Sequence, residues 1–222
     1  MPVRDREMAS SRRTFLQNGA RAAGVLGASL LLPRLFGAAA QAQDDFPPIS
    51  APRRVRPALL AKALLALDRH GDRIAERDRI AIADFNAPSS EPRFYLVDLG
   101  NGATTAFLVA HGKGSDPDHT GWLQFFSNED GSNASSEGVF LTSDYYVGQH
   151  GASQRLIGLD PTNCNAESRA IIIHSAWYAN PDILLTQPVL GRSDGCFTLG
   201  EAEIDMVFDR LGPGRMLYST KI

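Results

Sequence analysis

The sequence predicts a mainly β fold, a sandwich or barrel with two or three peripheral helices. Glycine (20) and proline (13) are frequent in the 222 residues, so turns are many. Short apolar or alternating runs recur between those turn residues, as strands of a sandwich or barrel do. Between two such runs stands Asn101-Gly102, a strong two-residue hairpin signal.

Composition narrows the class further. Hydrophobic residues make up 43% of the chain, enough for a real core, and the net charge of −3 gives no electrostatic case for a nucleic-acid binder. Internal repeats and heptad seams are absent. The two cysteines, Cys164 and Cys196, form no CxxC pair, which argues against a zinc ribbon or a thioredoxin-type motif. One disulfide is the plain reading for an exported chain. Their dissimilar surroundings argue against a shared structural role.

Residues 1–42 read as an export segment. Ser11-Arg12-Arg13-Thr14-Phe15-Leu16 resembles a twin-arginine signal, with Gln17 where lysine is common. An Ala/Gly/Leu-rich run follows, and Ala38-Ala39-Ala40-Gln41-Ala42 has small residues at cleavage-site spacing. Arg21 and Arg34 flank the apolar run and leave it short for a membrane span. The expectation is a periplasmic protein of a Gram-negative bacterium, exported folded through transient contact with the Tat machinery. An uncleaved anchor is the alternative.

Residues 43–56, rich in proline and charge, are expected to be a linker, and 57–222 a single domain. Pro57 suits a first helical position, and Leu59, Leu60, Ala63, Leu64 and Leu67 follow at helical spacing until His70-Gly71. Ile80–Phe85 and Arg93–Leu99 read as strands; in the second, Phe94 and Leu96 face opposite to Tyr95 and Val97. Thr104–Ala110 is the return strand and ends beside His111-Gly112. Gly112 to Gly138 is a long polar segment, expected as a packed loop because it holds Trp122, Phe125 and Phe126. Val139–Thr142, Arg155–Leu159 and Arg169–His174 read as further strands, with Tyr145–Gly151 as a turn. Thr198-Leu199-Gly200-Glu201 has capping-box spacing, and Ile204, Val207, Phe208 and Leu211 mark the helix face after it. Gly212-Pro213-Gly214 stops that helix, and Met216–Thr220 closes the fold.

The chemistry concentrates at Cys196 and His174. Three isoleucines lead to His174, so its ring projects from a buried strand end. Downstream, Gly191-Arg192-Ser193-Asp194-Gly195-Cys196 delivers a cysteine on a turn. A thiolate attacks well, and a nearby imidazole can take the thiol proton. The turn is expected to free the amides of Gly195 and Cys196 for an oxyanion. A helix after Thr198 would favour thiolate through its dipole.

These residues resemble the murein L,D-transpeptidase catalytic domain family, of the YkuD-like type, from about Ile80 to Tyr218. Its nucleophile motif, Ser/Thr-His-Gly-Cys, is matched by Ser193, Gly195 and Cys196, with Asp194 where histidine is usual. Its strand-end base is matched by His174-Ser175, the main chain of Ser175 orienting the imidazole. Also matched are His111-Gly112, Ser127-Asn128, Ser135-Ser136-Glu137-Gly138 and Tyr146-Val147-Gly148-Gln149-His150-Gly151. Phe197-Thr198 departs from the usual pair after the cysteine and is expected to alter the pocket wall.

The resemblance implies that His174 deprotonates Cys196 and that the thiolate forms a thioester with a peptidoglycan stem peptide. An amine then resolves it; water would make the chain an L,D-carboxypeptidase. No metal or cofactor is implied. Arg192, Ser193, His150 and Tyr146 are the candidate substrate contacts, Arg192 being equally readable as a loop tie. Asn163 and Arg169 read as supports, Tyr146 and Trp177 as walls of cleft or core. A metallohydrolase on His111, His119, His150 and His174 lacks the tight histidine spacing such sites use. A catalytically silent cell-envelope binding domain is the other rival.

Overall fold

The structure, a computed structural model, describes residues 54–222. The export segment and most of the linker lie outside the described residues. The folded part reaches back to Val55, which is buried, and Arg56, whose guanidinium pairs with Asp84 at 2.9 Å. These two residues, assigned to the linker on composition, are packed against the domain.

Helix α1 (Pro57–Arg69) opens with proline in its first turn, and its four buried residues are Leu59, Ala63, Ala66 and Leu67. The strands follow as β1 (Arg79–Asp84), β2 (Phe94–Asp98), β3 (Thr104–Phe107), β4 (Gly138–Gly148), β5 (Gly151–Gly158), β6 (Ile172–Ser175) and β7 (Phe197–Leu199). Helix α2 (Ile204–Leu211) and β8 (Met216–Thr220) complete the chain. Among the described residues, no helix is long and apolar enough to cross a membrane.

All strands join one eight-stranded sheet in the order β3-β2-β1-β8-β4-β5-β6-β7. Most neighbours are antiparallel; β1–β8 and β6–β7 are parallel. The sheet curls until its ends meet. Just past β3, the Ala110 amide donates to the Thr198 carbonyl in β7 at 2.8 Å, and Gly112 bridges Ser193. The mainly β, barrel-like expectation therefore holds, with two α-helices beside it.

Period-two alternation sorts the side chains into two cores. Ala81, Ala83, Phe94, Leu96, Phe107, Phe140, Leu156 and Leu217 enter one core with α2 residues Ile204, Val207 and Leu211. Their strand neighbours Ile80, Ile82, Tyr95, Val97, Ala106, Val139 and Met216 enter the other, under α1. The opposite facing of Phe94/Leu96 and Tyr95/Val97 follows the sequence reading.

Two local readings need correction. Tyr145–Gly148 is strand, paired with Gly151–Gln154 as far as Gly148↔Gly151, so only Gln149-His150 turns. Thr198 caps no helix: Phe197–Leu199 is a strand paired with β6, and α2 starts at Ile204 after Glu203, without a side-chain cap. The pattern Cys-Phe-Thr-Leu alternates, and burial of Phe197 and Leu199 outweighs the local capping signal. The polar segment from Gly112 to Gly138 is packed as expected, with Leu123, Ala134, Ser135 and Ser136 buried, although Trp122 and Phe125 are exposed.

Leu59→Ala should cost about 3 kcal/mol, the usual loss for a fully buried leucine, whereas Leu65→Ala, at a position 70% exposed, should cost little. Urea unfolding of both variants checks this; equal midpoints would detach α1 from the cooperative core.

Candidate active site

Cys196 and His174 reach one cavity because of how β6 and β7 pair. Ile173 lies opposite Phe197 and His174 opposite Thr198. Ile173, Phe197 and Leu199 point into the core. Alternation sends His174, Thr198 and, one step before Phe197, Cys196 to the other face. There a cavity of about 200 Å³ is lined by His150, His174, Tyr178, Arg192, Ser193, Asp194 and Cys196. The crossover between β6 and β7 carries Tyr178 on a short 3-10 turn (Trp177–Ala179).

The imidazole is held from both sides. Nδ1 of His174 lies 3.0 Å from the Ser175 carbonyl, which can only accept, so Nδ1 carries the hydrogen and Nε2 a lone pair. Ser175 thus orients the ring through its main chain. Nε2 is 3.0 Å from Thr198 Oγ1, which in turn receives the Tyr178 hydroxyl at 3.3 Å. His150, at the tip of the β4–β5 hairpin, lies over His174 with ring centroids 4.4 Å apart. Burial lowers the His174 pKa, the Ser175 carbonyl opposes this, and His150 adds to it.

Cys196 is a buried thiol. Its sulfur donates to the Ala170 carbonyl at 3.5 Å. Burial pushes its pKa up to about 11; the Ile172 amide and Arg169 pull down, while Asp194 pushes further up. The dipole argument made from sequence therefore fails, because a strand follows the cysteine and desolvation outweighs the local donors. Thiol and imidazole are both neutral near pH 7.

The turn before the cysteine is fastened on every side. The Ser193 hydroxyl donates to the Cys196 carbonyl at 2.8 Å and receives the Gly195 amide at 3.2 Å. Two expectations change as a result: the Gly195 amide is already bonded, and Ser193 is a buried clasp within the turn. Gly195 itself has φ +117°, and a Cβ there would lie 2.7 Å from the Ala134 carbonyl oxygen, so glycine is required. Phe197 faces the core and not the pocket, meeting Phe140 at 5.3 Å between ring centroids.

Behind the turn, the Ser193 amide donates to the His111 carbonyl and the Lys113 amide to the Ser193 carbonyl. His111 is buried between Arg93, 2.7 Å from its Nδ1, and Asp116, 3.3 Å from its Nε2. Arg93, which sequence reasoning passed over, is fully buried and also donates to the carbonyls of Val109 and Ala87. Burial lowers its pKa to about 9, so it stays a cation near pH 7, which makes His111 Nδ1 the acceptor.

The remaining candidates separate. Arg192 lines the cavity while donating through Nη1 to the Asp116 and Pro117 carbonyls. Asp194, where the family has histidine, is exposed and pairs with Lys113 at 2.6 Å. Tyr146 lies outside the cavity of Cys196. It lines a larger one of about 850 Å³ beside α2, and Arg155 stacks on its ring at 4.2 Å. Trp177 is 65% exposed and so not a core residue. Arg169 donates to the Ser127 and Ala134 carbonyls and to the Ser136 hydroxyl, and Asn163 to the Val139 carbonyl, both as supports. His119 bonds the Leu190 carbonyl. Cys164 and Cys196 are both free thiols. Thr198 and Tyr178 were missed; strand alternation from Cys196 would have found the first.

The family model for the L,D-transpeptidase catalytic domain matches residues 52–220. The chain belongs to this family. Solved structures similar to it include the L,D-transpeptidase LdtMt1 in complex with imipenem, at 15% identity and TM-score 0.38, covering 64% of this chain and 59% of that one. An L,D-transpeptidase from Mycobacterium smegmatis is similar at 12% identity and TM-score 0.39, covering 64% and 58%. The Ldtfm–avibactam carbamoyl enzyme is similar at 11% and 0.37, covering 66% and 50%. The chain thus spans less than two thirds of each of these neighbours. No curated protein sequence matches it.

The His111 environment fixes the sign of a pH effect. Burial first, then Arg93, lowers its pKa to about 3, against Asp116. The unfolded chain, with a histidine pKa of about 6.5, binds a proton that the folded chain refuses. Its contribution to stability is therefore full above that pH and is lost as pH falls toward 3, by at most about 1.4 kcal/mol per pH unit. Urea midpoints measured from pH 7 down to about 4.5 should fall less steeply in His111→Gln than in wild type. Parallel slopes would show that His111 protonates in the fold.

Proposed function

We propose that this chain is an exported, cysteine-dependent L,D-transpeptidase that acts on peptidoglycan stem peptides in the periplasm. The observation that supports it most is the sharing of one cavity by Cys196 and His174, with Nδ1–H fixed on Ser175 so that Nε2 is the ring's acceptor. Family membership supplies the reaction class.

In the proposed reaction, Nε2 of His174 takes the Cys196 proton. Sγ attacks the carbonyl carbon at the L centre of diaminopimelate in a tetrapeptide stem. The carbon–nitrogen bond to the terminal D-alanine breaks, and the D-alanine amine leaves with the proton from His174. A thioester remains on Cys196. An acceptor amine from another stem, a lipoprotein or a D-amino acid attacks it and loses a proton to His174. The carbon–sulfur bond breaks, an amide forms, and the thiol recovers its proton. Arg192, on the cavity wall, is the cation placed to meet a stem carboxylate. His150, whose ring lies over His174, would meet the same stem, and Tyr146 lines the larger cavity beside α2.

Purified protein should convert tetrapeptide muropeptides to cross-linked dimers, read by mass spectrometry, and Cys196→Ala should abolish them. Tripeptides without dimers, again dependent on Cys196, would make water the acceptor and the protein an L,D-carboxypeptidase. Identical spectra from both proteins would overturn the enzymatic reading in favour of a silent envelope-binding domain.

A further inference from the structure

The proposed proton path runs from Cys196 Sγ to His174 Nε2, yet that lone pair already has a donor. Because Nδ1–H is committed to Ser175, Nε2 can only accept. The Thr198 hydroxyl, 3.0 Å away, must therefore donate to it. Tyr178 completes the arrangement: its hydroxyl donates to Thr198 Oγ1, leaving the threonine hydrogen for Nε2. Thr198 is wholly buried, so bulk water does not compete for this chain of hydrogen bonds. Meanwhile the Cys196 sulfur donates to the Ala170 carbonyl at 3.5 Å.

We propose that Thr198 is a positioning residue that latches His174. Its hydroxyl occupies the lone pair that would otherwise receive the Cys196 proton and keeps the sulfur protonated until a substrate enters the cavity. This rests on the Cys196–His174 reading above. His150 from the hairpin and Thr198 from β7 touch the imidazole, and Tyr178 from the crossover with Arg192, Asp194 and Cys196 from the turn share its cavity. Of these, Thr198 alone is hydrogen-bonded to Nε2 among the described residues. Valine would keep the shape and remove the donor; serine would keep the donor.

The test is alkylation of Cys196 by iodoacetamide in the folded full chain, followed peptide by peptide across about pH 5 to 10. Exposed Cys164, on a separate peptide, serves as the reference. Thr198→Val should raise the Cys196 rate at neutral pH by about fivefold, the factor that one hydrogen bond of ordinary net strength represents. The gain should extend down to the titration of His174 and vanish in Thr198→Val with His174→Gln. Thr198→Ser should follow the wild-type curve. Tyr178→Phe, which leaves the Thr198 hydroxyl unoriented, should move the rate the same way by a smaller factor and serves if the valine variant fails to fold. A valine curve that coincides with or falls below wild type, or a gain that survives the loss of His174, overturns the latch. Because no muropeptide is used, a chain that shows this behaviour without turnover would sink the proposed function and leave the latch standing.

Discussion

The parallel register of β6 on β7 is the constraint from which the site follows. Pairing Ile173 with Phe197 and His174 with Thr198 decides which side chains enter the core and which face the cavity. A slip of one residue would bring Phe197 and His174 to the same face, so that either the imidazole would be buried or Phe197 turned outward, because side-chain direction in a strand has period two. The register is pinned from the core side by Ile173, Phe197 and Leu199, all wholly buried. The apolar half of this strand pair thus aligns the polar half. A cysteine preceding a short strand becomes a site only because its neighbours have somewhere apolar to go.

The second requirement is a rigid turn ahead of Cys196, and here buried polar groups do what hydrophobic packing cannot. A backbone that turns at Gly195 before entering β7 needs partners for its amides and carbonyls. Ser193 supplies two inside the turn, and the His111–Lys113 segment supplies two more across it. That segment is held by Arg93 and Asp116, and the Asp116 carbonyl is also held by Arg192. Every charge in this set has several hydrogen-bond partners, without which burial would be too costly. The network links β2, the chain past β3 and the turn before β7. It therefore joins the two ends of the curled sheet behind the cavity.

Much of this was legible in the residues and some was not. The strands were readable because each alternates and is bounded by turn residues; β1, β2 and β8 fall within a residue or two of their expected limits. Cys196 and His174 were readable because a strand end and a glycine turn are local features. Thr198 was misread since Thr-x-x-Glu is also a helix-start pattern, and only the pairing with β6 shows which reading prevails. Arg93 was invisible: an arginine at a strand start is ordinarily a surface residue, and its burial depends on His111 and Val109 folding over it. Gly195 was correctly seen as a turn residue but wrongly credited with a free amide, because the Ser193 hydroxyl reaches it only in three dimensions. What stayed hidden is a matter of partners brought together by topology.

Burial and reactivity pull against each other at the proposed nucleophile. Desolvation pushes the Cys196 thiol up and the His174 imidazole down, so each neutral form is favoured over its ion. Moving the proton from sulfur to Nε2 creates two charges in a cavity of about 200 Å³ that solvates them poorly. The charges stabilise each other only when both are present. The Ser175 carbonyl, already on Nδ1–H, strengthens its bond as the ring becomes cationic, and the Ile172 amide and Arg169 favour the thiolate. The rest must come from what enters the cavity; under the proposed function, a stem peptide would displace water and bring a carbonyl carbon for the sulfur to attack. On this account the protein keeps its cysteine as an uncharged thiol, resistant to the oxidation that a standing thiolate invites. It yields the ion pair where the electrophile lies, and the same burial that suppresses the thiolate makes it more nucleophilic once formed.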